Sequence, residues 1–545
     1  MTGSEILARA LKSQGVEALF YVMGGPMLET EALCIDLGIR AIDARHEQAA
    51  SFEAHAWTRV MRRPAVCMGG SGPGTTNLLT GVATAFTDAS PLIAIGGASP
   101  RVSLGMEAFQ EIDQLAVMKP VTKWAERIHD ALRIPEFVCE ALRRAVTGRP
   151  GPVYLDVPAD VLGEKVAEER LSWPAPGKPL PRPLGDPAAV REAIAVLGKA
   201  ERPLIIGGSG VWWSDGAAAF RSFVEATGIP FYTTPMSRGT VPEDHILSFL
   251  NARSAAFAGA DVILLVGTRF NWIIQFGRPP RFGENIKVIR VDIDPTDMGH
   301  NRDVDVPIVG DARVVLEQLA AEAKGRVDPN RYAAWVGKLR DLDAGKKGEQ
   351  DKAMSSESLP VHPLRLCKEV RDFIRRDAIL VVDGQEILNF ARQSIPTFLP
   401  GHRLNSGAFG CMGVGLPYGI GAKAARPDKQ VLVLHGDGSF GINAMEIDTA
   451  VRHRIPVVCV ISNNGGWTAD APWEMALPKP GRHLGRTRYD RMARELGAHG
   501  EFVEKPQEIR PALERAFASG KPAVVNVMTD DKAQAHTVRF SSYAT

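Results

Sequence analysis

The sequence lacks every feature that would tie it to a charged polymer, a membrane or a thiol site. Lys plus Arg number 64 and Asp plus Glu 63, a formal net charge of +1, so no basic field draws in nucleic acid or an anionic bilayer. No apolar run reaches the ~18 residues that a membrane span needs. The six cysteines (Cys34, Cys67, Cys139, Cys367, Cys411 and Cys459) are scattered, form no C-x-x-C and sit mostly in apolar runs; core thiols in a reducing compartment are the expectation. There is no Walker lysine. Nor is the glycine-rich stretch at 69–77, GGSGPGTTN, a dinucleotide fingerprint, because G-x-G-x-x-G begun at Gly70 and Gly72 needs a glycine where Thr75 stands. The start, MTGSEILARALKSQG, reads as a capped amphipathic helix rather than a signal peptide, and the final YAT matches no address signal. The expected location is therefore cytoplasmic.

What is present is an ordinary globular composition, 45% apolar and 23% charged. A chain of 545 residues exceeds one core, and about three to four domains follow. Residues 431–467 organise it: VLVLHGDGSFGINAMEIDTAVRHRIPVVCVISNNGGW. An apolar run ends at Gly436-Asp437-Gly438, a helical pattern follows with Met445, Ile447, Ala450 and Val451 on one stripe, and a second apolar run ends at Asn463-Asn464. This is a strand-helix-strand unit whose acid and amide ends meet at the carboxyl edge of neighbouring parallel strands, where open α/β sheets bind ligands. One carboxylate with neutral oxygens suits a Mg²⁺ that also holds a diphosphate. The glycines let the backbone approach phosphate oxygens, and Ser439 starts the helix.

Helix and strand patterns alternate along the rest of the chain. A Pro-rich stretch at 173–183 and a polar one at 346–359, poor in apolar periodicity, read as linkers. They divide the chain into α/β domains at 1–172, 185–330 and 360–545, the first and last resembling variants of one architecture. In the first, a strand ends at Gly24-Gly25-Pro26, and Glu47 begins a helix within Arg45-His46-Glu47-Gln48-Ala49-Ala50. In the third, a strand ends at Asp383-Gly384-Gln385, and Met412 lies among glycines in GAFGCMG at 407–413.

The GDG…NN unit resembles the motif of the thiamine diphosphate (ThDP) dependent enzymes. Together with the segment around Glu47 and the loop at 69–77, it is similar to their acetolactate synthase branch. That resemblance implies three doubly wound parallel-sheet α/β domains, with ThDP and Mg²⁺ as cofactors. Asp437, Asn464 and the carbonyl of Gly466 become metal ligands, and Gly438 and Ser439 contacts of the diphosphate. Glu47 would bond to the cofactor's pyrimidine and activate it, a role that favours a dry pocket. Met412 would wedge the cofactor into its bent form, the Gly410 carbonyl would accept from its amino group, and Pro26, Asn77 and Gln385 complete the candidate cofactor contacts. Because Glu47 and Asp437 face each other across subunits in this family, a homodimer is the minimum, and a tetramer fits as well.

Residues 268–272 (TRFNW) and 276–281 (FGRPPR), with 108–111 (AFQE), resemble the 2-hydroxyacyl-CoA lyases and the related oxalyl-CoA decarboxylases over nearly the whole chain. The decarboxylases carry tyrosine and glutamate at the positions of Phe109 and Gln110, so the pair here is more lyase-like. Gln110 would orient the substrate hydroxyl or carbonyl; as a loop residue it also reads as a surface amide. By the same resemblance Arg253 and Arg392 fall where acyl-CoA phosphates bind, and Arg149, Arg269 and Asp292 where the decarboxylases hold ADP. The implied activity is cleavage of a 2-hydroxyacyl-CoA to formyl-CoA and an aldehyde or ketone, or the reverse condensation. Oxalyl-CoA decarboxylase, acetolactate synthase and a catalytically silent nucleotide-binding subunit are the alternatives. Trp467-Thr468 stands where relatives have an aliphatic residue and tyrosine, so the acyl preference stays open, 2-hydroxyisobutyryl-CoA being one choice. The tail at 529–545 is either a lid over the site or a loose end.

Overall fold

A computed structural model describes residues 1–177, 181–467 and 481–535. It contains three wholly parallel sheets. The first runs Arg40–Asp43, Ala18–Tyr21, Val66–Gly69, Ile93–Ala98, Val153–Pro158, Trp124–Arg127. The second runs Val306–Val309, Lys287–Asp292, Val262–Val266, Pro203–Gly207, Phe231–Thr233. The third runs Arg403–Leu404, Ile379–Asp383, Val431–Gly436, Val458–Asn463, Ala523–Met528, His499–Val503. The central strands are continuous apolar runs because helices cover both faces. Val262–Val266, for instance, is VILLV with every residue buried.

Numbered by appearance within each sheet, all three share the strand order 2-1-3-4. Each therefore has a switch point between its first and third strands, where the connections depart to opposite faces and leave a crevice at the carboxyl ends. In the first sheet that crevice opens between Gly24-Gly25-Pro26 and Gly69-Gly70. In the third it opens between Gly384-Gln385 and Asp437-Gly438, and in the second between Gly208-Ser209 and Gly267-Thr268.

The first and third domains share one apolar core. Helix Glu47–Met61 lies on helix Gly415–Ala425; Phe52 meets Tyr418 edge-on at 6.0 Å between centroids, and the Tyr418 hydroxyl is 2.8 Å from His55 Nδ1. The approach depends on Gly421, where a Cβ would come 2.1 Å from the Glu53 carbonyl oxygen. Gly421→Ala is expected to destabilise the protein by about 1–3 kcal/mol through overpacking, seen as a lower thermal midpoint in calorimetry.

Two expectations are corrected. Residues 346–359 are not simply a linker, since helix Ala333–Met354 runs through most of them. Its alanines, lysines and leucines favour a helix against three glycines (Gly337, Gly345 and Gly348), and it needs little apolar periodicity because only Trp335, Val336, Leu339 and Met354 are buried. The helical pattern after Gly438 also breaks in two, Asp437–Ile442 and Glu446–Arg452. Asn443 turns the chain by donating from Nδ2 to the Gly413 carbonyl at 2.8 Å, which leaves Met445 47% exposed and off the buried stripe.

Candidate active site

Glu47 opens its helix behind His46, whose ring accepts from the Gln48 amide. It faces the crevice of the first sheet, a cavity of about 420 Å³ lined also by Gly25, Pro26, Gly70, Ser71, Phe109 and Gln110. Asn77 Nδ2 donates to Glu47 Oε2 at 3.0 Å. Gln110 accepts from the Ser71 hydroxyl at 2.9 Å. Its φ of +59° is a left-handed conformation that costs a non-glycine residue energy, and it presses on Gly72, where a Cβ would lie 2.4 Å from the Gln110 carbonyl. Gln114, not singled out from sequence, pins this turn from behind. Its Oε1 accepts from the Gly72 amide at 2.5 Å, while Nε2 donates to the Gly97 carbonyl and Asp156. No local sequence signal marks Gln114; only the fold brings it there.

The crevice of the third sheet is narrower, about 70 Å³, with Gln385, Met412, Asp437, Gly438, Ser439, Asn464, Gly466 and Trp467 in its wall. Gly436 pairs with Ser462 in register, so the two strands end side by side. Asp437 is 2% exposed. Burial pushes its carboxyl up to about 6, while the amides of Gly438, Asn464 and Gly465 pull it down. A buried carboxylate held by backbone amides is suited to a countercharge from outside the chain. Asn464 Oδ1 accepts from the Gly466 amide at 3.3 Å. Among the described residues no group of three or more His, Cys, Asp or Glu is placed to hold a metal ion by itself. The Asp437 carboxylate with the neutral oxygens of Asn464 and Gly466 fits a hard cation sharing a polyanionic ligand, and Glu386 and Asp530 line the same cavity.

Asp383, noted in the sequence only as a strand end, holds the Met412 loop. Its carboxylate accepts from the amides of Gly413 at 3.0 Å, Gly415 at 2.8 Å and Gly384 at 2.8 Å. Its strand-end Asp-Gly, echoing Asp437-Gly438, was the available signal. Met412 is 38% exposed at the cavity edge, and Gly410 lies just before it, outside the lining. The Trp467 ring lies on Gly438, where a Cβ would come within 2.7 Å of it. Trp467 therefore packs on the glycine turn itself. Asp530 and Ala533 border the same cavity, and the Ala535 amide donates to Glu386 at 3.0 Å. Thr468, Trp473 and residues 536–545 lie outside the described residues. Within one chain the two crevices share no lining residue.

The second sheet's crevice is the largest, about 1190 Å³, and gathers Arg149, Arg269 and Asp292 with Asp297, Gly407 and Ala408. Arg149 is 3.8 Å from Asp297, Arg269 donates to the Thr87 carbonyl, and Arg290 pairs with Asp292 at 3.2 Å. Arg253 and Arg392 are not in this cavity. Half-buried Arg253 lies over the Phe257 ring at 5.1 Å, and its guanidinium is pushed down to about 9 by burial and by neighbouring Arg392 and Arg281.

Three family models match the chain: the thiamine pyrophosphate enzyme N-terminal TPP binding domain at 1–117, the central domain at 190–319 and the C-terminal TPP binding domain at 386–527. An acetolactate synthase large subunit of Mycobacterium tuberculosis is 38% identical over 539 residues, 97% of this chain and 96% of that protein. The 2-hydroxyacyl-CoA lyase 1 of Homo sapiens is 34% identical over 552 residues, 98% and 95% of the two chains. Oxalyl-CoA decarboxylase of Escherichia coli (strain K12) is 34% identical over 542 residues, 97% and 95%. With all three of its domains matched and relatives aligned end to end, the chain belongs to the thiamine diphosphate-dependent enzymes.

Proposed function

We propose that this enzyme is a 2-hydroxyacyl-CoA lyase, cleaving its substrate between C1 and C2 to formyl-CoA and an aldehyde or ketone. The observation that carries this reading is Gln110, a neutral amide held at φ +59° in the wall of the Glu47 cavity beside Phe109. A neutral donor and acceptor there suits an uncharged 2-hydroxyl group. Bound ThDP supplies the electron sink. Glu47, held by Asn77, exchanges a proton with the pyrimidine ring. Asp437, Asn464 and the Gly466 carbonyl hold Mg²⁺, Gly438 and Ser439 the diphosphate, and Pro26, Gln385, Gly410 and Met412 the rest of the cofactor. Gln110 orients the hydroxyl whose proton leaves as the new carbonyl forms, and C1 gains a hydrogen to give formyl-CoA. The balance is one 2-hydroxyacyl-CoA to one formyl-CoA and one carbonyl compound.

Arg253 and Arg392 form a cationic neighbourhood for the phosphates of CoA, and the central crevice with Arg149, Arg269 and Asp292 would take ADP. Since Glu47 and Asp437 face separate cavities in one chain, a complete site needs a second copy, in a cytoplasmic homodimer or tetramer. A second reading, acetolactate synthase, is favoured by the 38% identity to the mycobacterial subunit. Incubation with ThDP and Mg²⁺ and, separately, 2-hydroxyacyl-CoAs, oxalyl-CoA and pyruvate distinguishes them. Formyl-CoA, with acetone from 2-hydroxyisobutyryl-CoA, is the expected product. Carbon dioxide from oxalyl-CoA alone, or acetolactate from pyruvate alone, would overturn the lyase reading.

A further inference from the structure

The turn leading into Glu47 is held within the first domain by the Ala44 amide on the Tyr21 carbonyl and by the His46 cap, and a second set of contacts reaches it from the third domain. Glu446, 2% exposed, opens helix Glu446–Arg452. Its two carboxylate oxygens lie 3.2 and 3.1 Å from the Arg45 amide nitrogen, and the His46 amide points to the same carboxylate. The Thr449 hydroxyl donates to Oε2 at 2.5 Å and fixes the group from its own helix. On one side of this contact, Arg452 donates to the Asp43 carbonyl at 2.8 Å and His453 Nε2 lies 2.6 Å from Asp43 Oδ1. On the other, Asn443 donates to Gln48 at 3.4 Å. Residues 443–453 thus grip positions 43, 45, 46 and 48, and leave the Glu47 side chain itself to the cavity and Asn77.

We propose that Glu446 is a positioning residue for Glu47. A buried carboxylate accepting backbone amides makes strong, directional bonds, and this one fixes the two peptide groups that precede the activating glutamate. Glu446 touches neither crevice; neither cavity has it in its wall. The inference rests on the reading of Glu47 given above, and it adds a function to the stretch after Asp437. The same run of chain ends one half-site and steadies the other.

The test compares wild type, Glu446→Gln, Glu446→Ala, Thr449→Val and Glu47→Gln. In the protein free of cofactor, amide hydrogen exchange in peptides covering 44–48 is expected to accelerate on the order of tenfold in Glu446→Ala, less in Glu446→Gln, which keeps one acceptor oxygen. In the loaded enzyme, kcat falls by about 10- to 100-fold with KM unchanged, as for a misplaced catalytic group, while calorimetric binding of ThDP with Mg²⁺ is retained. Thr449→Val, which keeps the carboxylate but removes the hydroxyl that fixes it, shows the same pattern at smaller amplitude. Unchanged exchange at 44–48, or accelerated exchange with wild-type kcat while Glu47→Gln is inactive, overturns the positioning role alone. Full turnover by Glu47→Gln overturns the activating role of Glu47, and the purpose of the grip with it.

Discussion

Replacing Glu47 by glutamine leaves ThDP bound but lowers turnover by about 10³-fold, the upper part of the range for a group that transfers protons. The substitution is isosteric, and its amide oxygen still accepts from Asn77 Nδ2, now 3.0 Å from Glu47 Oε2. Glu47 starts a helix whose further residues are almost all buried, so the backbone has little freedom to answer the change. What disappears is the carboxylate proposed above to exchange a proton with the pyrimidine ring. Steady-state kinetics with saturating ThDP and Mg²⁺, paired with calorimetric binding, reads the effect. A loss of less than tenfold in kcat would end the activating assignment.

Asp437→Ala acts on the other half-site and on a different quantity. Asp437 supplies the buried carboxylate of the proposed oxygen set, in a cavity that Glu386 and Asp530 also line. Truncating one partner of a buried charge pair costs about 2–5 kcal/mol, which is roughly 30- to 4,000-fold in the dissociation constant of ThDP with Mg²⁺. Binding, not turnover at saturation, is where the loss is expected first. Titration of the apoprotein, with Glu47→Gln as the comparison that keeps its affinity, separates the two. Wild-type affinity in Asp437→Ala would refute the metal assignment.

The parts of this molecule legible in its sequence are those with strong local grammar. Long apolar runs such as 262–266 announce strands buried on both faces, and strand-end Asp-Gly and Asn-Asn mark where the third sheet opens. Edge elements were less visible. Trp124–Arg127 mixes an aromatic with charges because only one of its four residues is fully buried, and Arg403–Leu404 is too short for any pattern. Residues acting at a distance were not visible at all. Gln114 reaches Gly72 and Asp156 across more than 40 positions, and Glu446 reaches Arg45 across 401; neither spacing has a signature before the domains are assembled. Periodicity after Gly438 places Met445 inward on one continuous helix, whereas Asn443 breaks the run to hold Gly413.

The separation of the two crevices within one polypeptide has a consequence for inheritance and dosage. When complete sites form only across copies, each chain contributes to two of them, giving its glutamate to one and its metal clamp to the other. In the oligomer proposed above, a chain defective at both ends would therefore silence an intact companion instead of merely failing beside it, and such an allele would behave as dominant. Chains defective at opposite ends, by contrast, rebuild one working site between them.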